Sequence, residues 1–128
     1  MTTFHNHPIG FELQDTERAG QFILHHIVAK TAPKHTMTRH VTCRDRPTRI
    51  AQTLVSHKPV ELCLYAYGPH LQRLLAVVEC VRKQDSGLVK CRTTLSSFTE
   101  HNDNDSATII DATKKRTVPI LVAVLSRQ

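Results

Sequence analysis

Tryptophan is missing from this chain, and aromatic residues make up only 5% of it. A core must therefore be built from aliphatic side chains. At 40% hydrophobic residues these suffice for a single domain of 128 residues. Four glycines and six prolines exclude a low-complexity or fibrous chain. No run of about 18 apolar residues offers a membrane span, and the N-terminus carries no apolar signal segment. The four cysteines (Cys43, Cys63, Cys80 and Cys91) form no C-x-x-C pair. Unpaired thiols in a reducing, intracellular setting are expected. The nine histidines lack finger-like or H-E-x-x-H spacing, so no metal site is assigned. Neither G-x-G-x-x-G nor G-x-x-x-x-G-K-[ST] occurs, and no dinucleotide or nucleotide cofactor is expected. There is no nucleophile elbow and no carboxylate pair that could flank a cleft, so no catalytic residue is assigned. A thiol site of His70 with Cys43 or Cys63 can be drawn, but Cys63 lies in a buried strand pattern and reads as a core thiol.

What is present is positive charge, unevenly spread. Arg18 against Glu12, Asp15 and Glu17 leaves the first 28 residues at −2. Between residues 29 and 60, seven Lys and Arg face Asp45 alone, giving +6. The rest holds nine basic against seven acidic residues, giving +2. A basic patch of this kind attracts nucleic acid, an anionic membrane or an acidic protein, or serves only as a soluble cationic surface.

Hydrophobic spacing orders the elements. Residues 1–13 read as irregular. Ala19, Phe22, Ile23 and Ile27 recur at helical spacing, with Asp15 or Thr16 as cap and Pro33 as stop. His35 to Cys43 alternates as a half-buried strand, with Met37, Val41 and Arg39 on one side. Pro47 suits the first turn of a helix whose stripe is Ile50, Ala51, Leu54 and Val55, and Asp45 reads as its cap. Val60 to Tyr67 is dense enough in apolar residues for a central strand. Leu71, Leu74, Leu75, Val78 and Val81 mark an amphipathic helix. Leu88 to Phe98 alternates again, with Val89, Cys91, Thr93, Leu95 and Ser97 on one side. Residues 100–116 read as a long loop, and Val118 to Leu125 as a last apolar strand. The fold class is α/β, an α+β sandwich. Its β-α-β-α-β-β core forms a four-stranded mixed sheet with two helices on one face, and an extra N-terminal helix precedes it. Residues 1–34 are the extension with that helix, and residues 35–128 the globular domain. The apolar density of Leu121, Val122, Val124 and Leu125 beside the helix at 71–83 fits either an ordinary core or a dimer seam.

Three loop features carry candidate chemistry. Gly68-Pro69-His70 joins a strand to a helix, where free N–H groups suit a phosphate. Arg44, Arg46 and Arg49 surround the earlier strand-to-helix turn, and guanidinium forks also suit phosphates. Lys114-Lys115-Arg116 ends the long loop. A charge run is ordinarily just a solvated face. Both turns, however, follow strand C-termini and so share one edge of the sheet, which favours an extended polyanion.

The stretch LCLYAYGPHLQRLLAVVECVRK, then TTLSSF, then VPILVAVLS resembles the Alba-like subunits of eukaryotic, yeast-type ribonuclease P and ribonuclease MRP. The similarity runs from Met37 to Ser126, and three blocks in order are more specific than any one. The resemblance implies an Alba-like fold and a heterodimer with a sister Alba-like subunit. It also implies binding to a helix–internal-loop–helix region of the catalytic RNA, in a nuclear or nucleolar ribonucleoprotein that processes precursor tRNA and precursor rRNA alongside other protein subunits. Telomerase RNA carrying a similar element is a second RNA it implies. The RNA-contacting loops would be Thr42–Arg49, Gly68–His70 and Lys114–Arg116. With flanking residues, the expected set is Arg39, Arg44, Arg46, Arg49, Tyr67, Gly68, Pro69, His70, Arg73, Lys114, Lys115 and Arg116. The expected dimer surface is Leu71, Leu75, Val78, Leu121, Ala123 and Leu125. This chain departs from the archaeal pattern, which has a lysine in the first loop and Gly-Arg in the second; here stand Arg44-Asp45-Arg46 and Gly68-Pro69. Two rivals are an Alba-type regulator of translation or chromatin, and a protein–protein adaptor without RNA contact.

Overall fold

The computed structural model describes residues 1–32, 36–101 and 115–127. Two short strands, β1 (Thr2–Phe4) and β2 (His7–Pro8), precede helix α1 (Thr16–Ile23). A π-helical turn over Leu24–Val28 carries α1 into α2 (Ala29–Thr31). The core follows as β3 (Met37–His40), α3 (Pro47–Ser56), β4 (Glu61–Tyr67), α4 (Leu71–Gln84), β5 (Lys90–His101) and β6 (Lys115–Ser126). This is the β-α-β-α-β-β order expected from the sequence. The sheet runs β2-β1-β5-β6-β4-β3, with β3 parallel to β4 and the other pairs antiparallel.

Two corrections concern the N-terminus. The sheet has six strands, not four, and the first residues are not irregular. Thr2 and Thr3 pair with Glu100 and Thr99 of β5. His5 and Asn6, at φ 50° and 67°, make the tight turn into β2. A type I′ hairpin turn needs positive φ at both positions, and His-Asn advertises this far less than Asn-Gly or Asp-Gly does.

Strand β4 is buried from Leu62 to Tyr67, so both faces of the sheet need cover. Leu62, Leu64 and Ala66 pack with Ala51 and Leu54 of α3 and with Leu74, Val77 and Val81 of α4. Cys63, Tyr65 and Tyr67 face the other way, into a cluster with Ala19, Ile23, Ile27 and Val28. The N-terminal helix thus forms the third layer. Burying each such aliphatic side chain contributes roughly 1.5–3 kcal/mol. Asp15 caps α1 as expected, accepting the Arg18 N–H. On α4 the buried stripe is Leu74, Val77 and Val81, while Leu75 is 58% exposed. The helix is apolar over a wider arc than the core uses. At its end, Arg127 binds both carboxylate oxygens of Asp85 and the carbonyl of Pro59, closing the helical face onto the last strand.

Helix α1 approaches the sheet at Gly20. A Cβ there would lie 2.4 Å from Nδ1 of His40. The His40 ring cannot easily retreat, because it stacks on Tyr65 at 5.2 Å and lies nearly parallel to Tyr67 at 6.2 Å. Overpacking of this kind costs about 1–3 kcal/mol. Gly20→Ala should therefore lower the unfolding free energy from urea titration by that amount. In a His40→Ala background the same change should cost much less, because alanine is the better helix former; equal costs in both backgrounds would refute the steric conflict.

Candidate nucleic-acid interface

The first loop is organised by Asp45. Its carboxylate accepts the Thr42 N–H at 2.9 Å and the Arg39 guanidinium at 3.1 Å. The expectation that Asp45 caps α3 is therefore corrected: the N-cap is Arg46, without a side-chain cap bond, and Pro47 opens the helix. Asp45 instead closes the loop and offsets the charge of Arg39. Arg44, Arg46 and Arg49 are exposed. None of the three has an ion-pair partner among the described residues.

The second loop is the 3-10 turn Gly68–His70, which leads directly into α4. Gly68 sits at φ 53°, with Val118 Cγ1 only 3.1 Å from where a Cβ would be. Conformation and space both call for glycine here. Pro69 is exposed. His70 turns inward: it is 8% exposed and packs edge-on against Tyr67 at 5.2 Å. Its Nδ1 accepts the Cys43 N–H at 2.9 Å. A backbone N–H can only donate, so Nδ1 carries no proton and the ring is neutral, protonated at Nε2. Burial pushes the His70 pKa down, with Asp45 acting weakly against it. Tyr67 is 2% exposed, and its hydroxyl donates to the carbonyl of Leu13. The Tyr67 and His70 side chains, expected at the binding surface, thus turn inward and brace this end. They are scaffold, and the sequence could not distinguish an inward ring from an outward one at a turn.

The third feature is the start of β6. Lys115 and Arg116 are exposed, while Lys114 lies outside the described residues. Arg116 stands 3.9 Å from Glu100, an exposed pair of little strength. Arg116, Glu100, Tyr67, Pro69 and His70 share a cleft of about 320 Å³. Arg73 is half-buried in the first turn of α4. The Cys43–His70 hydrogen bond joins the first loop to the second, and the cleft joins the second to β6. Five exposed cations thus stand at this end of the molecule: Arg44 and Arg46 on the first loop, Arg49 in the first turn of α3, and Lys115 and Arg116 at the start of β6. Such an array suits a polyanion spread over several phosphates.

The expected dimer residues divide. Ala123 and Leu125 are 2% and 0% exposed, and Leu125 belongs to the core cluster beneath α3 and α4. Both are core, because α4 of the same chain covers that end of β6. Leu71, Val78 and Leu121 are half-buried, and Leu75 is exposed. Leu95 is not among the expected dimer residues. It lies opposite Leu121 on the face that α3 and α4 cover only in part, and is 74% exposed. The alternation of Cys91, Thr93, Leu95 and Ser97 already put it on one side of its strand.

His40, half-buried, is the second inward histidine at this end, and its buried Nε2 has no hydrogen-bond partner among the described residues. Burial above all, with His70 next and Arg39 adding to it against Asp45, pulls its pKa down to about 4. Between that value and the ordinary 6.5 the unfolded chain binds more protons than the folded one. Stability should therefore fall as the pH drops from 7 towards 4. His40→Phe, which keeps the ring stack, should flatten a plot of urea midpoint against pH; an unaltered slope would remove His40 as the cause. His70→Ala should lower the unfolding free energy from urea titration by about 1–3 kcal/mol, as the part-buried hydrogen bond from the Cys43 N–H is lost.

A scan against protein-family models finds no match, and a search of curated proteins finds none. Solved structures do match. Alba from Thermoplasma volcanium is similar with a TM-score of 0.44 and 14% identity, over 70% of this chain and 100% of that one.

Proposed function

We propose that the chain is a non-catalytic RNA-binding subunit of a ribonucleoprotein of the ribonuclease P or ribonuclease MRP type. Residues 35–128 supply the RNA-binding domain, and the segment before it covers its second sheet face. The observation that carries this reading is the set Arg44, Arg46 and Arg49, without ion-pair partners among the described residues, on the loop and first helical turn that the Cys43–His70 hydrogen bond fastens to the Gly68–His70 turn. Lys115 and Arg116 extend the same basic surface. Phosphate contacts and A-form shape would dominate, since the deep groove of an RNA helix hides its base edges. The RNA would perform cleavage in such a particle, and this chain would hold a helix–internal-loop–helix element in place. A telomerase RNA with a similar element would meet the same surface. The particle would be nuclear and nucleolar, with further protein subunits. The three-block sequence resemblance supports these finer assignments.

The same reading calls for a sister Alba-like subunit. Leu75 and Leu95 are the exposed apolar residues it would cover, with Leu71, Val78 and Leu121 at their margins. Patches of this type on a small domain mark association surfaces.

Sequencing the RNA that co-purifies with the chain tests the assignment most directly. Enrichment of ribonuclease P or MRP RNA is the expected result. Bulk messenger RNA or chromatin DNA would instead indicate an Alba-type regulator, and absence of nucleic acid an adaptor. Arg44→Ala with Arg46→Ala should weaken RNA binding and make the slope of log K against log salt shallower, by about 0.7–0.9 for each phosphate no longer neutralised. An unchanged slope would remove the first loop from the interface. Leu75→Asp with Leu95→Asp should abolish heterodimer formation in size-exclusion chromatography. Surface changes of this kind leave monomer stability within about 0.5 kcal/mol, so a heterodimer that persists would place the seam elsewhere.

A further inference from the structure

Strand β5 is twelve residues long, yet on its outer side β1 pairs only with Thr99 and Glu100. His101 also exchanges both backbone hydrogen bonds with Met1: its N–H donates to the Met1 carbonyl at 2.8 Å and its carbonyl accepts from the Met1 amine at 3.2 Å. From Lys90 to Phe98 the outer edge has no strand partner among the described residues. The pairing of β5 with β6 is unbroken from Lys90↔Ser126 to His101↔Lys115, so no bulge resets the alternation. Backbone groups alternate sides along a strand. Because the backbone groups of His101 point outward, so do the N–H and C=O groups of Cys91, Thr93, Leu95 and Ser97. Open edges are ordinarily blunted by charge, proline or bulges. Between Thr93 and Phe98 this edge carries none of these.

Beside that edge lies an open groove of about 620 Å³ floored by residues 94–96 of β5. Its walls are apolar, with Phe4, Phe22 and Ile27. Its rim is cationic or imidazole, with His7, His26 and Lys30, and no Asp or Glu lines it among the described residues. His26 stacks on Phe22 at 4.0 Å, and Arg92 reaches across to the carbonyl of Thr31, so the wall is held in place. The groove lies on the sheet face covered by the N-terminal helix and reaches the β5 edge at Leu95, whereas Leu75 of α4 lies on the other side of the sheet.

We propose that the outer edge of β5 from Cys91 to Ser97 is a strand-addition site for an extended segment of a partner protein. That segment would seat an apolar side chain between Phe4, Phe22 and Ile27 and place a carboxylate beside Lys30 and the rim histidines. A polypeptide is the occupant because only a polypeptide offers N–H and C=O groups at the repeat this edge presents. The carboxylate follows from the rim, which is basic and lacks counter-charge. The inference stands independently of RNA binding by the loops.

The test pans a displayed library of random peptides against the full chain. Peptides should be enriched that alternate apolar and polar residues and carry an Asp or Glu. On binding, the Thr93 and Leu95 amides should become protected from hydrogen exchange. Thr93→Pro removes an outward donor without breaking the ladder to β6, and should weaken binding by at least about fivefold. Lys30→Glu, at an exposed position, should weaken it similarly and be rescued by a peptide whose acid is replaced by lysine. Arg46→Ala should leave peptide binding unchanged. Failure to enrich any peptide would overturn the proposal, as would enriched peptides indifferent to both Thr93→Pro and Lys30→Glu. Loss of RNA binding in Lys30→Glu with peptide binding intact would assign the groove to nucleic acid instead.

Discussion

Strand β4 has to be covered on both sides, and that requirement organises the molecule. Six successive buried residues, Leu62 to Tyr67, leave it no solvated face. Helices α3 and α4 cover Leu62, Leu64 and Ala66. The opposite face presents Cys63, Tyr65 and Tyr67, two of them with polar ends, and is covered by α1 and its π-helical continuation. Burial drives the pKa of the Cys63 thiol up to about 12, so it stays protonated and acts as a small apolar group. The N-terminal segment is therefore part of the domain's stability. Its hairpin lengthens the sheet, and its helix closes a face that would otherwise expose two tyrosines.

The functional end grows from the same strand. Tyr67 is its last residue, and the hydroxyl anchors Leu13 just ahead of α1. Three residues on, His70 anchors Cys43 of the first loop. One short stretch thus fastens the N-terminal layer on one side and the arginine loop on the other. Asp45 completes the arrangement by tying Thr42 and Arg39, so the cations left outward are Arg44, Arg46 and Arg49. The basic surface depends on buried neutral groups for its shape. The same burial holds the pKa values of His40 and His70 below that of a free imidazole.

Much of this was legible in the residues. The core order followed from periodicity, because a 3.6-residue repeat and a short dense apolar run differ plainly over stretches as long as 71–81 and 60–67. The two strand-to-helix turns were legible from Gly68-Pro69 and Pro47. The positions of Arg44, Arg46 and Arg49 followed from those turns. Ring direction was not legible: His70 and Tyr67 sit at a turn where an inward and an outward side chain have the same local sequence. Nor was the division of the α4 stripe, since Leu75 and Val77 are both apolar and only the position of the sheet decides which is buried. The β1–β2 hairpin escaped because its strands are too short to show alternation.

By itself, then, the sequence determined the element order, the concentration of charge between residues 30 and 58, and the absence of nucleotide and zinc motifs. Those are properties of composition and spacing, carried by the chain before it folds. Only the tertiary structure decided that Asp45 answers Arg39, that Ala123 and Leu125 are core, that α1 is the second cover of β4, and that β5 from Lys90 to Phe98 has no outer strand partner among the described residues. Each of these depends on groups distant in the chain meeting in space, and spacing along the chain does not record which partner a side chain finds.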